Sequence, residues 1–139
     1  MIKSIITKVS IILFIASTFF TQATFAHDDE KTPVMSQQTL IKTMKNNSSD
    51  VIILDVRTKA EFDQGHIKGA INMSHNLIED NIAKLSQYKN KTVVVHCRSG
   101  RRAGVAEHIL ADHGFTKLLH LEGDMNAWVE AKLPIVESK

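Results

Sequence analysis

The sequence predicts a three-layer α/β domain with a mainly parallel central sheet flanked by helices. Three observations carry that expectation. Continuous apolar, β-branched runs occur at Val51-Ile52-Ile53-Leu54-Asp55-Val56 and at Thr92-Val93-Val94-Val95, and the lack of polar alternation marks strands covered on both faces. Segments between and after these runs space their apolar residues at helical intervals. Strand and helix patterns then alternate along the chain, as they do where helices pack on a parallel sheet.

The elements follow in order. Residues 1–26 read as a secretory signal peptide: Lys3 and Lys8 precede an apolar run from Val9 to Phe20, and Gln22-Ala23-Thr24-Phe25-Ala26 ends in small residues that favour cleavage after Ala26. The run is short for a membrane span, which needs roughly 20 apolar residues. Export to the periplasm, with no stable membrane association after cleavage, is the expectation. Cleavage removes two of the 17 basic residues and leaves 15 against 15 acidic ones. A net charge of zero excludes a general electrostatic case for nucleic acid, so any positive potential must be local. One cysteine in an exported chain also excludes an internal disulfide.

Residues 27–33 form a polar, flexible lead-in to a domain over 34–136, a length suited to one modest core. Ser36 to Met44 predicts a helix, capped by Ser36, with Leu40, Ile41 and Met44 on one face. Asn46 to Asp50 supplies turn residues before the first strand. Thr58 to Gln64 predicts a short helix ending at Gly65, and Gly69 to Met73 a short strand. Leu77 to Tyr88 has helical spacing. Thr92–His96 is the second long strand, followed by a helix from Arg102 to His113 with Val105, Ala106, Ile109 and Leu110 on its apolar side and Gly114 as C-cap. Lys117 to Leu121 reads as a last strand, and Met125 to Lys132 as a closing helix with Trp128 packed on the sheet.

The chemistry concentrates at His96-Cys97-Arg98-Ser99-Gly100-Arg101-Arg102. The only cysteine of the chain stands at a strand-to-helix turn, with three arginines among the next five residues. Such a turn aims several backbone N–H groups at one point, and the helix dipole adds positive potential there. A thiol so placed is expected to ionise more readily than usual and act as a nucleophile. Ligands of open parallel sheets gather beyond the strands' C-terminal ends, where Asp55 and Arg57 also lie. A packed role is expected for His96. His75, His108, His113 and His120 show no metal-ligand spacing with one another, and no metal or cofactor is implied.

Leu54-Asp55-Val56-Arg57, Glu61-Phe62, Gly65-His66-Ile67-Lys68-Gly69-Ala70-Ile71-Asn72, the Val94–Ala103 segment, and Gly114-Phe115, Leu121-Glu122-Gly123, Ala127-Trp128 and Leu133-Pro134 together resemble the rhodanese (thiosulfate sulfurtransferase) family, in its small single-domain exported form. The resemblance covers nearly all of Val34 to Val136. It implies a rhodanese-like domain in which Cys97 is the catalytic residue. The sulfane sulfur of a small-molecule donor such as thiosulfate would pass through a Cys97 persulfide to cyanide or a thiol acceptor, in a monomer without cofactor. Arg98, Ser99, Gly100, Arg101 and Arg102 would form the substrate-binding loop, with Arg102 nearest the donor. Asp55, Arg57, Glu61 and His66 would brace the loop and the strand ends by ion pairs. The chain departs from many members at Asp124, where they have a second glycine. An acidic side chain there would either weaken anion binding or point to solvent.

The rival enzyme classes are cysteine phosphatase and arsenate reductase, whose loops place Arg six residues after Cys. Here that position is Ala103, and Arg102 comes one residue early, a displacement that bidentate arginine geometry tolerates poorly. A thiol–disulfide oxidoreductase would need a resolving cysteine. A rival from another class is a persulfide carrier or anion-binding module that holds sulfur without turnover.

Overall fold

The computed structural model describes residues 31–138. The expected signal peptide lies outside the described residues. Five strands, β1 (Val34–Met35), β2 (Val51–Asp55), β3 (Ile71–Asn72), β4 (Thr92–His96) and β5 (Leu118–Leu121), form one sheet in the order β1-β5-β4-β2-β3. Every neighbouring pair is parallel. The helices are α1 (Gln37–Lys45), α2 (Lys59–Gln64), α3 (Ile78–Leu85), α4 (Arg101–Asp112) and α5 (Asp124–Glu130).

Side chains alternating along the central strands build a core on each face of the sheet. Leu54, Val93 and Val95 face Ile78 and Leu85 of α3 and Ala103, Ala106 and Leu110 of α4. Ile53 and Val94 face Leu40 of α1 and Met125 and Trp128 of α5. Trp128 is fully buried, and its indole N–H donates to the Pro134 carbonyl at 3.0 Å. This three-layer arrangement is the expected one.

Local signals account for most boundaries. The Ser36 hydroxyl accepts the Thr39 N–H and starts α1. Thr58 and Glu61 form a reciprocal capping box that starts α2. Three details differ from expectation. β1 was not foreseen: two residues carry too little pattern, and the strand exists because Val34 and Met35 pair with His120 and Leu121 of β5. The helix expected over Leu77–Tyr88 is shorter, flanked by 3₁₀ turns at His75–Leu77 and Ser86–Tyr88. Asn81 leaves helical φ/ψ within it and donates its side-chain amide to the Leu77 carbonyl, the local competition that Asn offers a helix backbone. Val105 is 48% exposed rather than on the apolar face of α4.

The topology positions the site. β2 and β4 are adjacent and in register, with Asp55 opposite His96. The residues leaving the C-terminal ends of both strands therefore emerge side by side, at the edge where parallel sheets bind ligands.

Candidate active site

Cys97 follows the last residue of β4 and belongs to the core cluster beneath α3 and α4. It is 1% exposed, so the sulfur lies at the floor of the loop rather than on its rim. The Gly100 N–H donates to Sγ at 3.1 Å. Gly100 makes that contact at φ +100°, and a Cβ there would stand 3.1 Å from Asp124 Oδ2, so backbone conformation and packing both call for glycine. No side chain caps α4. Among the described residues, its first turn thus receives no side-chain cap bond from Gly100, at the positive end of a 12-residue helix. Arg98, Ser99 and Arg101 are exposed on the loop.

On the α2 side, the Arg102 guanidinium grips Glu61 in a two-pronged pair at 2.7 and 2.9 Å. Arg102 and the Thr58 contacts hold the Glu61 carboxyl down at about 2 against the opposing effect of burial. Glu61, with a smaller contribution from Cys97, holds the Arg102 guanidinium above its ordinary range. Behind this pair, Arg57 donates to both Asp55 carboxylate oxygens and to the Gly65 carbonyl. Asn72 and Ser74 in turn donate to the Arg57 carbonyl at 3.0 Å. Asp55 and Arg57 are buried, so this network fixes the ends of β2 and β3. His66 stands apart from it: its ring stacks on Phe62 with centroids 3.6 Å apart and bonds the Phe62 carbonyl. His96 is fully buried, and burial pushes its imidazole below the ordinary value.

On the α5 side, Asp124 turns inward. Its Oδ1 accepts the Cys97 N–H at 2.7 Å, and its Oδ2 lies 3.0 Å from His120 Nε2. The other ring nitrogen of His120 lies 2.6 Å from Glu107 Oε1. A ring with a carboxylate at each nitrogen must donate from both, so His120 is an imidazolium. Asp124 and Glu107 raise it to about 10. Burial pushes the Asp124 carboxyl up, but His120 and the Cys97 N–H outweigh it and leave it below the ordinary carboxylate range. The side chain therefore does not point to solvent: it is buried, and its charge is met by His120. Asp124 has φ +54°, a left-handed conformation that aspartate tolerates better than most residues.

A cleft of about 540 Å³ opens beside the loop between α2 and α5, with Glu61, Gln64, Arg98, Met125, Asn126 and Val129 in its walls. It joins a cationic loop residue to an apolar shelf.

The rhodanese-like domain family matches residues 36–131. The chain belongs to the rhodanese-like family. A sulfurtransferase of Allochromatium vinosum is 37% identical over 90 residues, which cover 65% of this chain and 82% of that protein. The thiosulfate sulfurtransferase PspE of Escherichia coli K12 is 37% identical over 70 residues, covering 50% of this chain and 67% of that protein. The solution structure of the rhodanese-like domain of the Anabaena protein Alr3790 superposes with a TM-score of 0.67 at 25% identity, covering 78% of this chain and 81% of that one.

Within this rhodanese-like domain the structure brings Cys97, Gly100, Arg102 and Glu61 together, and places Asp55 and Arg57 behind them as a buried brace. Sequence reasoning missed Glu107 and His120. One signal was present for the first. Glu107 lies one residue after Ala106 and three before Leu110, so a charged residue sits within the buried stripe of α4 and requires a partner there. Nothing local marked His120, because its partners Glu107 and Asp124 lie on other elements and meet it only in the folded chain.

Proposed function

We propose that the protein is a sulfurtransferase that carries sulfane sulfur on Cys97. Family membership and the sulfurtransferase relatives support sulfur transfer in general, and the likeness to PspE favours thiosulfate as donor. The single observation that carries the reading is the Gly100 N–H aimed at Cys97 Sγ where β4 meets the N-terminus of α4.

In the proposed cycle the Cys97 thiolate attacks the outer sulfur of thiosulfate. A sulfur–sulfur bond forms to Cys97, the bond to the sulfonate sulfur breaks, and its electron pair leaves with sulfite. Cyanide or an acceptor thiolate then attacks the terminal sulfur and departs as thiocyanate or a new persulfide, restoring the Cys97 thiolate. The burial of Cys97 suits this chemistry, since a persulfide moves the reactive atom outward by an S–S bond of about 2 Å. The loop's N–H groups would stabilise the terminal anion, and Arg102 and Arg98 would attract the dianionic donor. Arg102 offers only what its pair with Glu61 leaves free. Arg98 borders the cleft, which gives an acceptor a route to the loop.

Incubation with thiosulfate should add the mass of one sulfur atom at Cys97, and added cyanide should release thiocyanate and restore the original mass. Cys97→Ser should abolish both. Turnover that survives Cys97→Ser would refute the reading. Sulfur uptake by the wild type without turnover would support the carrier alternative. We propose export as well; the same mass measurement on protein recovered from the periplasm should find cleavage after Ala26.

A further inference from the structure

We infer that Asp124 is a positioning residue for Cys97, with its carboxylate oriented by His120 and Glu107. Asp124 Oδ1 takes the nucleophile's own backbone N–H at 2.7 Å. Asp124 Oδ2 stands 3.1 Å from the place a Cβ of residue 100 would occupy, so the loop packs directly on this carboxylate at the glycine whose N–H reaches Sγ. Both ends of the Cys97–Gly100 turn therefore register against one side chain. Two backbone bonds keep α5 on the same turn, from Met125 N–H to the Cys97 carbonyl and from Asn126 N–H to the Arg98 carbonyl.

A carboxylate this close to the nucleophile would oppose negative charge on sulfur. His120 answers that difficulty: it reaches Asp124 Oδ2 from β5 while Glu107 of α4 holds its other nitrogen. The ionisable groups around Asp124 are therefore His120 on β5, Glu107 on α4 through His120, His96 on β4 and Cys97 in the loop. Asp124 holds its strained φ at the start of α5 directly after Gly123, where a Cβ would stand 2.3 Å from that of Ala127. The turn that aims the carboxylate is thus fixed by packing.

Amide NMR of the full chain tests the contact directly. In the wild type the Cys97 amide proton should resonate well downfield, as expected for an N–H donated to a carboxylate. Asp124→Ala should move it upfield and unprotect it from exchange, and Asp124→Asn, which keeps a neutral acceptor, should move it less. The wild-type resonance should titrate near pH 10 as His120 loses its proton, and His120→Gln should remove that step. Under the sulfur-transfer reading, which the kinetic measurement assumes and the NMR does not, Asp124→Ala should slow single-turnover persulfide formation about tenfold at saturating thiosulfate, with half-saturation little changed, while Asp124→Asn stays within about threefold. A Cys97 amide unmoved in Asp124→Asn would overturn the inference even if Asp124→Ala fails to fold. So would an unchanged persulfide rate in a folded Asp124→Ala protein. A wild type that forms no persulfide would refute the sulfur-transfer reading alone, and the NMR result would still decide the role of Asp124.

Discussion

The Cys97 loop leans on a carboxylate at each side, and the two are built differently. Toward α2 it meets Glu61, whose side chain is 29% exposed and paired with a partly exposed arginine. Toward α5 it meets Asp124, 4% exposed and paired with a histidine that a second buried carboxylate also holds. The first is a latch between two side chains near water, where the screened attraction is small and the pair can open to admit a ligand. The second is a buried charge cluster in which every member needs the others, because an unpaired charge away from water is costly. The loop therefore combines a replaceable contact on the side of the cleft with a fixed one against the backbone of Cys97.

Removing Glu107 should produce the largest stability difference between the two sides. Glu107→Ala takes a buried carboxylate from a charged hydrogen bond and should cost about 2–3 kcal/mol, read as a lower urea midpoint with an unchanged slope. A loss within about 0.5 kcal/mol, the ordinary range for surface changes, would erase the contrast. Glu61→Ala should cost no more than about 1 kcal/mol, since its pair is partly exposed. Under the proposed sulfur transfer its effect should appear instead in the thiosulfate dependence of turnover, because Arg102 loses its anchor. A stability loss as large as that of Glu107→Ala would make the latch a structural pair.

The smallest and most diagnostic effects are in pH dependence, where only the His120 side should fail at the alkaline end. His120 is raised from 6.5 to about 10 on folding, so its contribution is complete below about pH 6.5 and is lost as pH rises toward 10. Glu61 is lowered from 4.5 to about 2, so its contribution is complete above about pH 4.5 and is lost as pH falls toward 2. Subtracting the stability curve of His120→Gln from that of the wild type should leave a difference that declines on the alkaline arm as His120 loses its proton and, at the acid end, as Asp124 gains one. The same subtraction for Glu61→Gln should decline only on the acid arm. An alkaline decline in the Glu61→Gln difference, or none in that of His120→Gln, would contradict the assignment of charges.

Much of this architecture was legible before the structure. Val51–Asp55 and Thr92–His96 read as strands because unbroken β-branched runs leave no face for water, and they are the two longest strands of the sheet. Ser36 and Thr58 marked helix starts through chemistry that reaches only three residues. The strand-to-helix turn at Cys97 was equally local, with the cysteine, the glycine and the helix start all within Cys97–Arg102. β1 was not legible, since its two residues owe their strand geometry to β5. Val105 was misread because four apolar residues fall near one side of α4 while the packed stripe excludes the outermost of them.

Sequence by itself determined most of the elements, the alternation that makes the sheet parallel, and a cysteine loop too short by one residue for a phosphate-type arginine. Those properties depend on neighbours a few positions apart. Tertiary structure alone decided what holds the loop. Arg102 and Glu61 are 41 residues apart in the chain, Cys97 and Asp124 are 27 apart, and Glu107 and His120 are 13 apart. Charges at such separations meet only once the strands have set their order, and burial then decides which pairs must be complete. Asp124 is the clearest case: an acidic residue far from the loop in the sequence becomes, after folding, the acceptor for the Cys97 amide.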